Sequence, residues 1–450
     1  MIYAVVSSFA SVFMLAKGYT NAQIGMTLAA ANILAVVLQP ATANLADRSE
    51  KIGAIGISEI MTVMMMIFII GMFVFGGGSI ALCVTFVLLI AWHTALQPMF
   101  NALTFKLEES GIPVNFGIAR SVGSLAYSIL VAILGTLVEH MGIMTLPVTA
   151  EIVCVMLLIS LIMTKRTFDR ARALRDTQRL AGVAEETEAS AKENRTLKSA
   201  GGNDTEKSVC TKKSDTQEAA VDNTKGSGAA DNNTEEAASA EDAQRSASAE
   251  TDVPEESQQI SLMEFIRRNK LFFVLNIGVV GLFFSNSILN NYMVQIVTDV
   301  GGTSEDMGRI LGVMAFLEIP TMVFFSRLKR RFSCQLLLKV ASVGFTVKIG
   351  LCWLAASVGM LYVAQLFQLV SFALFLPGMV YFTGENMSPG EAVRGQALFT
   401  TMITVTTIFS SLLGGWILDV SGAKTLTFIA TLATAAGAVI VFAVVDRIKK

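Results

Sequence analysis

The sequence has little charge for its length. Of its 450 residues, 16% are charged and 53% are hydrophobic, and the mean hydropathy is +0.59. Charged residues make up about 25% of a typical soluble domain, so this composition excludes an ordinary water-soluble protein. The sequence predicts an all-α integral membrane protein with the lipid bilayer as its solvent. No nucleic-acid partner is expected, because no nucleic-acid-binding module accompanies the basic residues.

Motifs of catalysis and metal binding are also missing. There are two histidines and five scattered cysteines without a CxxC pair, and no HExxH, GxSxG or Gly-rich phosphate loop occurs. We therefore expect no disulfide framework, no metal, no cofactor and no enzymatic activity. The first apolar run lacks the basic start and the cleavage site of a signal peptide. The chain is expected to be inserted by its own helices.

Long apolar runs divide the chain into two blocks. A membrane-spanning helix needs about 20 apolar residues. By that measure, six spans fall in residues 1–164, the N-terminal block, and six in residues 271–450, the C-terminal block. This pattern predicts twelve transmembrane helices in two pseudo-symmetric six-helix bundles. Met1 falls inside a shortened first span, so we expect either a natural start upstream or a span that is cut here. The spans are expected at residues 1–16, 23–46, 54–75, 80–104, 117–138, 143–164, 271–297, 306–326, 335–356, 360–382, 395–417 and 424–445.

Two pairs of similar segments relate the blocks. Residues 18–28 resemble residues 301–311 at a shift of 283, with Gly, Thr, Gly and Leu in register. In both copies a Thr stands three residues before a Gln or an Asp, which predicts a capping box where a helix starts. Residues 133–142 resemble residues 413–422 at a shift of 280. Such duplication is typical of secondary transporters, whose substrate site lies between the repeats near the bilayer midplane.

The connections between spans carry Lys and Arg unevenly. Basic residues concentrate in the even-numbered connections and the C-terminal tail, which predicts that these and both termini are cytoplasmic in a multi-pass protein of the inner cell membrane. Residues 165–270 are polar and almost free of aromatic residues, so this cytoplasmic linker is expected to be largely disordered. It is either a flexible tether or a regulatory docking segment. Residues 260–268 at its end predict a short amphipathic helix on the membrane surface.

Polar residues inside the spans are candidates for a functional site, because they are costly in hydrocarbon. His93, Gln97 and Asn101 recur every four residues and share one face of the fourth span. Asn290 and Asn291 bring amides to the seventh span, and such amides suit a neutral hydroxylated substrate. The alternative for both groups is hydrogen bonding between helices.

Two opposite charges lie deep in spans of the C-terminal block. Glu318 in the eighth span precedes Pro320 by two residues, and a buried carboxylate can carry a proton near neutral pH. Lys348 in the ninth span needs a partner or a wet cavity. Glu318 is therefore either the proton-coupling residue or half of a static ion pair with Lys348. Asp47 and Arg48 end the second span, where we expect a cytoplasmic gate between the halves.

Three motifs resemble the major facilitator superfamily. Residues 38–48 resemble its cytoplasmic loop signature. Residues 116–127 are similar to the fifth-helix motif of the lactose permease and its oligosaccharide:proton symporter relatives. Residues 317–320 resemble a wider permease-like group that includes nucleoside and phenylpropionate carriers. The resemblance covers all twelve spans and implies the fold of the superfamily and its alternating access.

The resemblance also implies roles for single residues. Arg120 stands where an arginine binds sugar hydroxyls, and Tyr127 stands where a sugar ring packs on an aromatic residue. From the residues alone, Arg120 could instead extend to the cytoplasmic surface, and Tyr127 could serve packing. Lys348 replaces an expected arginine, and Gln368 replaces the histidine that handles the proton. The fourth-helix glutamate and a second proton-handling glutamate are replaced by Ala102 and Ser371.

Together these features predict a secondary active transporter that moves a small organic solute by alternating access. A sugar, an oligosaccharide or a nucleoside-like molecule is expected, with proton symport favoured. The expected partners are this substrate, protons and the lipid bilayer, and the chain is expected to act as a monomer. Two alternatives stay open: a proton-antiport efflux carrier, and a non-transporting membrane sensor that signals through residues 165–270.

Overall fold

The computed structural model describes residues 1–48, 53–109, 116–170, 177 and 262–448. Within these ranges the backbone forms helices and connecting turns, without strands. A π-helical turn at Ala4–Ser8 precedes the first α-helix. The α-helices are α1 Ala10–Ala16, α2 Asn21–Arg48, α3 Gly53–Val74, α4 Ile80–Glu109, α5 Phe116–Met141, α6 Thr145–Arg170, α7 Leu262–Arg268, α8 Lys270–Asp299, α9 Ser304–Arg331, α10 Cys334–Leu354, α11 Val358–Leu366, α12 Phe372–Asn386 and α13 Pro389–Val444.

The helices have the length and composition of membrane spans. In the described residues, ten segments are long and apolar enough to cross a bilayer. The segment that contains α13 runs for 57 residues, or about 85 Å at 1.5 Å per residue, whereas a bilayer core is about 30 Å thick. Its backbone is non-helical at Gly422, where φ is 78°. This break separates the two spans that were predicted there. The predicted all-α membrane fold is confirmed, and the count of twelve stays a prediction.

The outward surfaces of these helices are apolar. Large hydrophobic side chains are widely exposed, among them Val37 at 63%, Val74 at 69% and Ile80 at 82%. Such a surface would aggregate in water, but it matches the acyl chains of a bilayer.

The predicted tenth span is interrupted in its middle. A 3₁₀ turn at Phe367–Val370 separates α11 from α12, and Ser371 between them has non-helical angles of φ −105° and ψ −102°. α10 packs against this turn through Gly344, where an added Cβ would lie 2.6 Å from the carbonyl oxygen of Val370. The sequence predicted one continuous helix here. The break puts polar side chains and free backbone groups at the depth of the candidate site.

Four helices join the N-terminal block to the C-terminal block. α5 packs along α9, and α2 packs along α13. Glycines allow the backbones to touch, since an added Cβ on Gly135 would lie 2.7 Å from the carbonyl oxygen of Ser304. One hydrophobic core runs through both blocks, and a second lies within the C-terminal block. Phe265 of the short helix α7 is buried in this second core, so α7 is anchored to the C-terminal block.

Candidate functional site

A buried polar chain crosses the C-terminal block. Lys348 in α10 and Gln368 in the 3₁₀ turn are 2% and 1% exposed. The Lys348 Nζ donates to Gln368 Oε1 and also lies 3.5 Å from the sulfur of Met314. Gln368 Nε2 in turn donates to Oε1 of Glu318 in α9, at 2.6 Å. An ammonium can only donate and a carboxylate can only accept, so these two charges fix the orientation of the Gln368 amide between them.

Unused hydrogen-bonding capacity lies next to this chain. Ser371 and Gln365 are fully buried. Ser371 Oγ and Gln365 Oε1 have no hydrogen-bond partner among the described residues. Buried polar atoms normally have a partner in the protein or in ordered water. The interrupted span therefore contains two buried polar atoms that an ordered water molecule can satisfy.

An aromatic cluster faces inward from the N-terminal block. The ring of Tyr3, before the π-helical turn, lies 5.9 Å from that of His93 in α4 and 6.0 Å from that of Tyr127 in α5. The Tyr127 hydroxyl is 2.9 Å from Ser8 Oγ, and either can donate. His93 Nδ1 in this cluster and Nε1 of the preceding Trp92 are buried and have no partner among the described residues. The cluster thus combines aromatic faces with unsatisfied polar groups.

The two clusters lie within electrostatic range of each other. The Glu318 carboxylate lies close enough to interact electrostatically with the hydroxyls of Tyr3 and Tyr127. Tyr3 itself is 43% exposed. The aromatic rings of the N-terminal block therefore lie near the buried charge network of the C-terminal block. The structure brings His93, Tyr127, Glu318, Lys348 and Gln368 to this region.

Other predicted site residues lie elsewhere or make contacts of their own. Gln97 is exposed on α4, one turn beyond His93. Asn290 donates to the carbonyl of Asn286 in its own helix at 2.9 Å. Asn291 donates to Ser411 Oγ in α13 at 2.9 Å, so its amide serves a contact between helices. The backbones of four further candidates are helical, but their side chains lie outside the described part of the structure: Asp47, Arg48, Asn101 and Arg120.

Sequence reasoning missed Tyr3 and Ser8. Tyr3 and Ser8 lie in the first apolar run, which was too short to be treated as a full span, and neither carries a motif. A Tyr so near the end of an apolar run is more simply explained as an interfacial residue. Only the packing of the first segment against α4 and α5 shows that Tyr3 faces inward.

Both predicted capping boxes are present. In α2 the Thr20 amide donates to Gln23 Oε1 at 3.0 Å and the Gln23 amide donates to Thr20 Oγ1 at 3.3 Å. In α9 Thr303 and Asp306 form the same reciprocal pair. The capping pattern read from the sequence is therefore confirmed.

The sequence is similar to a known family and to a known protein. A family model described as "MFS_1 like family" matches residues 1–430. The chain is 30% identical over 115 residues to a curated relative from Deinococcus radiodurans named "Putative sugar efflux transporter". That match covers 25% of this chain and 29% of the relative, so the chain spans less than a third of the relative's length.

Solved structures with a similar fold cover almost the whole chain. The nucleoside transporter NupG has a TM-score of 0.64 and 12% identity, over 100% of this chain and 96% of that one. A POT family transporter in complex with 5-aminolevulinic acid has a TM-score of 0.59 and 11% identity, over 100% and 94%. A bacterial homologue of the human lysosomal transporter Spinster, inward-facing and unoccupied, has a TM-score of 0.54 and 10% identity, over 99% and 94%. At these identities the likeness shows the fold.

Proposed function

The chain belongs to the MFS_1 like family, and from that premise we propose that it is a proton-coupled symporter of a small organic solute. Family membership makes it a multi-pass membrane transporter and not an enzyme. The proposal is that a single chain, with both termini in the cytoplasm, binds a sugar, an oligosaccharide or a nucleoside-like molecule and carries it across the inner cell membrane by alternating access. The observation that supports it is that an aromatic cluster of the N-terminal block lies within electrostatic range of Glu318, in the buried charge network of the C-terminal block.

The aromatic cluster suits a hydroxylated ring. The aromatic faces of Tyr3, His93 and Tyr127 can pack against a sugar or a base. The buried nitrogens of Trp92 and His93 can exchange hydrogen bonds with hydroxyl or amide groups of the solute. Ligand sites combine apolar and aromatic walls with a few placed polar groups in this way.

Glu318 is the proposed proton carrier. When Glu318 is ionised, its charge balances the ammonium of Lys348 through the Gln368 amide. Protonation of Glu318 removes that balance and leaves a buried positive charge, which is costly. Proton binding must therefore be accompanied by a rearrangement or by a solute that offers new hydrogen bonds. This dependence is the physical basis of the proposed coupling.

Transport by purified protein in proteoliposomes tests the coupling. Glu318→Gln should lose accumulation of solute against a gradient but keep solute exchange, in which no net proton moves. Glu151→Gln is a matched control, because Glu151 is also a carboxylate within a span but belongs to α6, outside the network. If Glu318→Gln still concentrates solute in an uncoupler-sensitive way, the proton carrier is another residue.

The substrate class can be found with a thermal-shift screen of sugars, nucleosides and aromatic acids. Once a solute is known, Arg120→Ala should abolish its binding while expression and helix content persist. Tyr127→Phe should weaken binding more than Ser8→Ala, although both remove the same hydrogen bond. Equal effects of the two changes would mean that Tyr127 only packs, and wild-type uptake by Arg120→Ala would remove Arg120 from the site.

Efflux is the second candidate, because the name of the Deinococcus radiodurans relative includes that direction. An efflux carrier should accumulate solute in inside-out vesicles when their interior is acidified, whereas a symporter under that gradient should expel it. The same vesicles can be used for the wild type and for Glu318→Gln.

A further inference from the structure

At one end of the molecule the start of α2 is capped by a carboxylate of the other block. The helix begins at Asn21, and its own capping box satisfies the amide of Gln23. The two preceding amides, those of Asn21 and Ala22, donate to Asp419 in α13 at 3.0 and 2.7 Å. The side-chain amide of Asn21 donates to the same carboxylate at 2.9 Å. Asp419 thus holds the first turn of a helix that belongs to the N-terminal block.

The start of α9 repeats this arrangement with the blocks exchanged. The helix begins at Ser304, behind its own capping box. The Ser304 amide donates to Glu139 near the end of α5, at 3.2 Å. One turn before Glu139, the hydroxyl of Thr136 donates to Glu305 of α9 at 3.0 Å. Here a carboxylate of the N-terminal block holds the first turn of a helix that belongs to the C-terminal block.

The four residues correspond to one another in the internal repeat. Asn21 and Ser304 are 283 residues apart, and Glu139 and Asp419 are 280 residues apart. These are the shifts that relate the two pairs of similar segments. The start of each helix therefore contacts the acidic residue of the opposite block. In both cases the first amide of the helix donates a hydrogen bond to that carboxylate.

The backbones are in contact at these points. An added Cβ on Gly415 would lie 2.2 Å from the carbonyl oxygen of Asn21, and one on Gly308 would lie 2.6 Å from that of Val131. The first turn of a helix carries unpaired amides and a partial positive charge, so a carboxylate there is stabilising. Separating the blocks at this end would break both contacts at once and return the amides and carboxylates to water.

We propose that Asp419 and Glu139 are gating residues, which close this end of the transporter by capping α2 and α9 of the opposite blocks. The two contacts are called the reciprocal caps. The proposal rests on the proposed alternating access, and the predicted topology places this end away from the cytoplasm. Opening of this end to admit or release solute then requires the loss of both caps.

Distances between spin labels measure the state of this end directly. The labels are placed at Ile80→Cys in the N-terminal block and Lys424→Cys in the C-terminal block, both exposed, after replacement of the native cysteines. Loss of a carboxylate charge at Asp419→Asn or Glu139→Gln should lower the ratio of closed to open populations about fivefold, since hydrogen bonds to charged groups are about twice as strong as neutral ones. The double variant should lower it further.

A second pair of variants separates the gate from the stability of the helix. Asn21→Asp and Ser304→Asp each place a new carboxylate beside the existing one, so they should open this end. A negative charge in the first turn nevertheless favours the helix itself. Adding Asp419→Asn to Asn21→Asp should restore the closed population, because it removes the repulsion.

Asp306→Asn is the matched control, because Asp306 caps α9 within its own block. If it opens this end as much as Glu139→Gln, or if none of the carboxylate variants shifts the distances, the reciprocal caps do not control the gate. The measurement needs no solute. If the protein transports none of the screened solutes but shows the predicted changes in spin-label distance, the proposed substrate class is wrong. The gating role of the reciprocal caps is then still supported.

Discussion

At the scale of single residues, Gln368 has an unusual position. It is the residue that joins a buried ammonium to a carboxylate on another helix. The sequence placed Gln368 on the tenth span and Lys348 on the ninth, and a direct ion pair of Lys348 with Glu318 was one of the two alternatives it left open. Neither periodicity nor spacing could show that a side chain from a third helix reaches between them. That arrangement depends on the 3₁₀ turn in which Gln368 lies.

Gln368→Leu should strongly destabilise the protein. The change removes the hydrogen-bond acceptor of the buried Lys348 ammonium, and loss of such a partner costs about 1–3 kcal/mol, or more when the buried group is charged. Lys348→Met combined with Gln368→Leu should be less harmful than the sum of the single changes, by about 0.5–3 kcal/mol. Unfolding in detergent measures all three variants. Strictly additive effects would show that the two side chains do not depend on each other.

At the scale of elements, the interruption between α11 and α12 could not be predicted from the sequence. Apolar composition and length are the same for a continuous span and for one that is broken by a short 3₁₀ turn. The positions of the spans were predictable because a helix that crosses a bilayer needs about 20 apolar residues. The starts of two helices were predictable because Thr20 and Thr303 stand in capping boxes. The break depends on the contact with Gly344 of α10, which is tertiary information.

Gly344→Ala tests this contact. The added methyl would lie 2.6 Å from the Val370 carbonyl oxygen and 3.2 Å from the Ser371 amide nitrogen, and backbone atoms cannot move aside easily. We expect a loss of about 1–3 kcal/mol, typical of overpacking, seen as a lower midpoint of thermal unfolding. Gly350→Ala on the same helix is the control, since its methyl meets only Thr431 at 3.7 Å. A loss of similar size in both variants would contradict the explanation.

At the scale of the whole molecule, the site is assembled from both blocks. The sequence identified His93, Tyr127 and Glu318 separately, from helical spacing and from resemblance. It could not predict that these side chains approach one another, because no residue pattern encodes the angle between two packed bundles. The same limit explains Asn291, whose amide was a candidate for solute binding but bonds Ser411 of α13.

Deleting residues 175–255 tests the place of the linker in the whole molecule. The helices that carry the site and the reciprocal caps lie outside this segment. A transporter joined by a flexible tether should therefore keep its uptake rate within about twofold, as loop closure depends only weakly on length. The full-length chain measured in the same vesicles is the reference. Complete loss of transport, with the protein still folded, would instead favour a signalling or docking role for the segment.

The three tryptophans give the protein three distinct optical environments. Trp92 directly precedes His93 of the candidate site in the chain and packs edge-on to Phe68 at 5.8 Å, and its indole nitrogen is buried. Trp353 packs on Phe428 at 5.0 Å, whereas Trp416 is 59% exposed on the apolar outer surface. Brominated acyl chains should therefore quench the fluorescence of Trp416 and spare that of Trp92. A protein that retains Trp92 alone would report occupancy of the site by its own emission, without an attached dye.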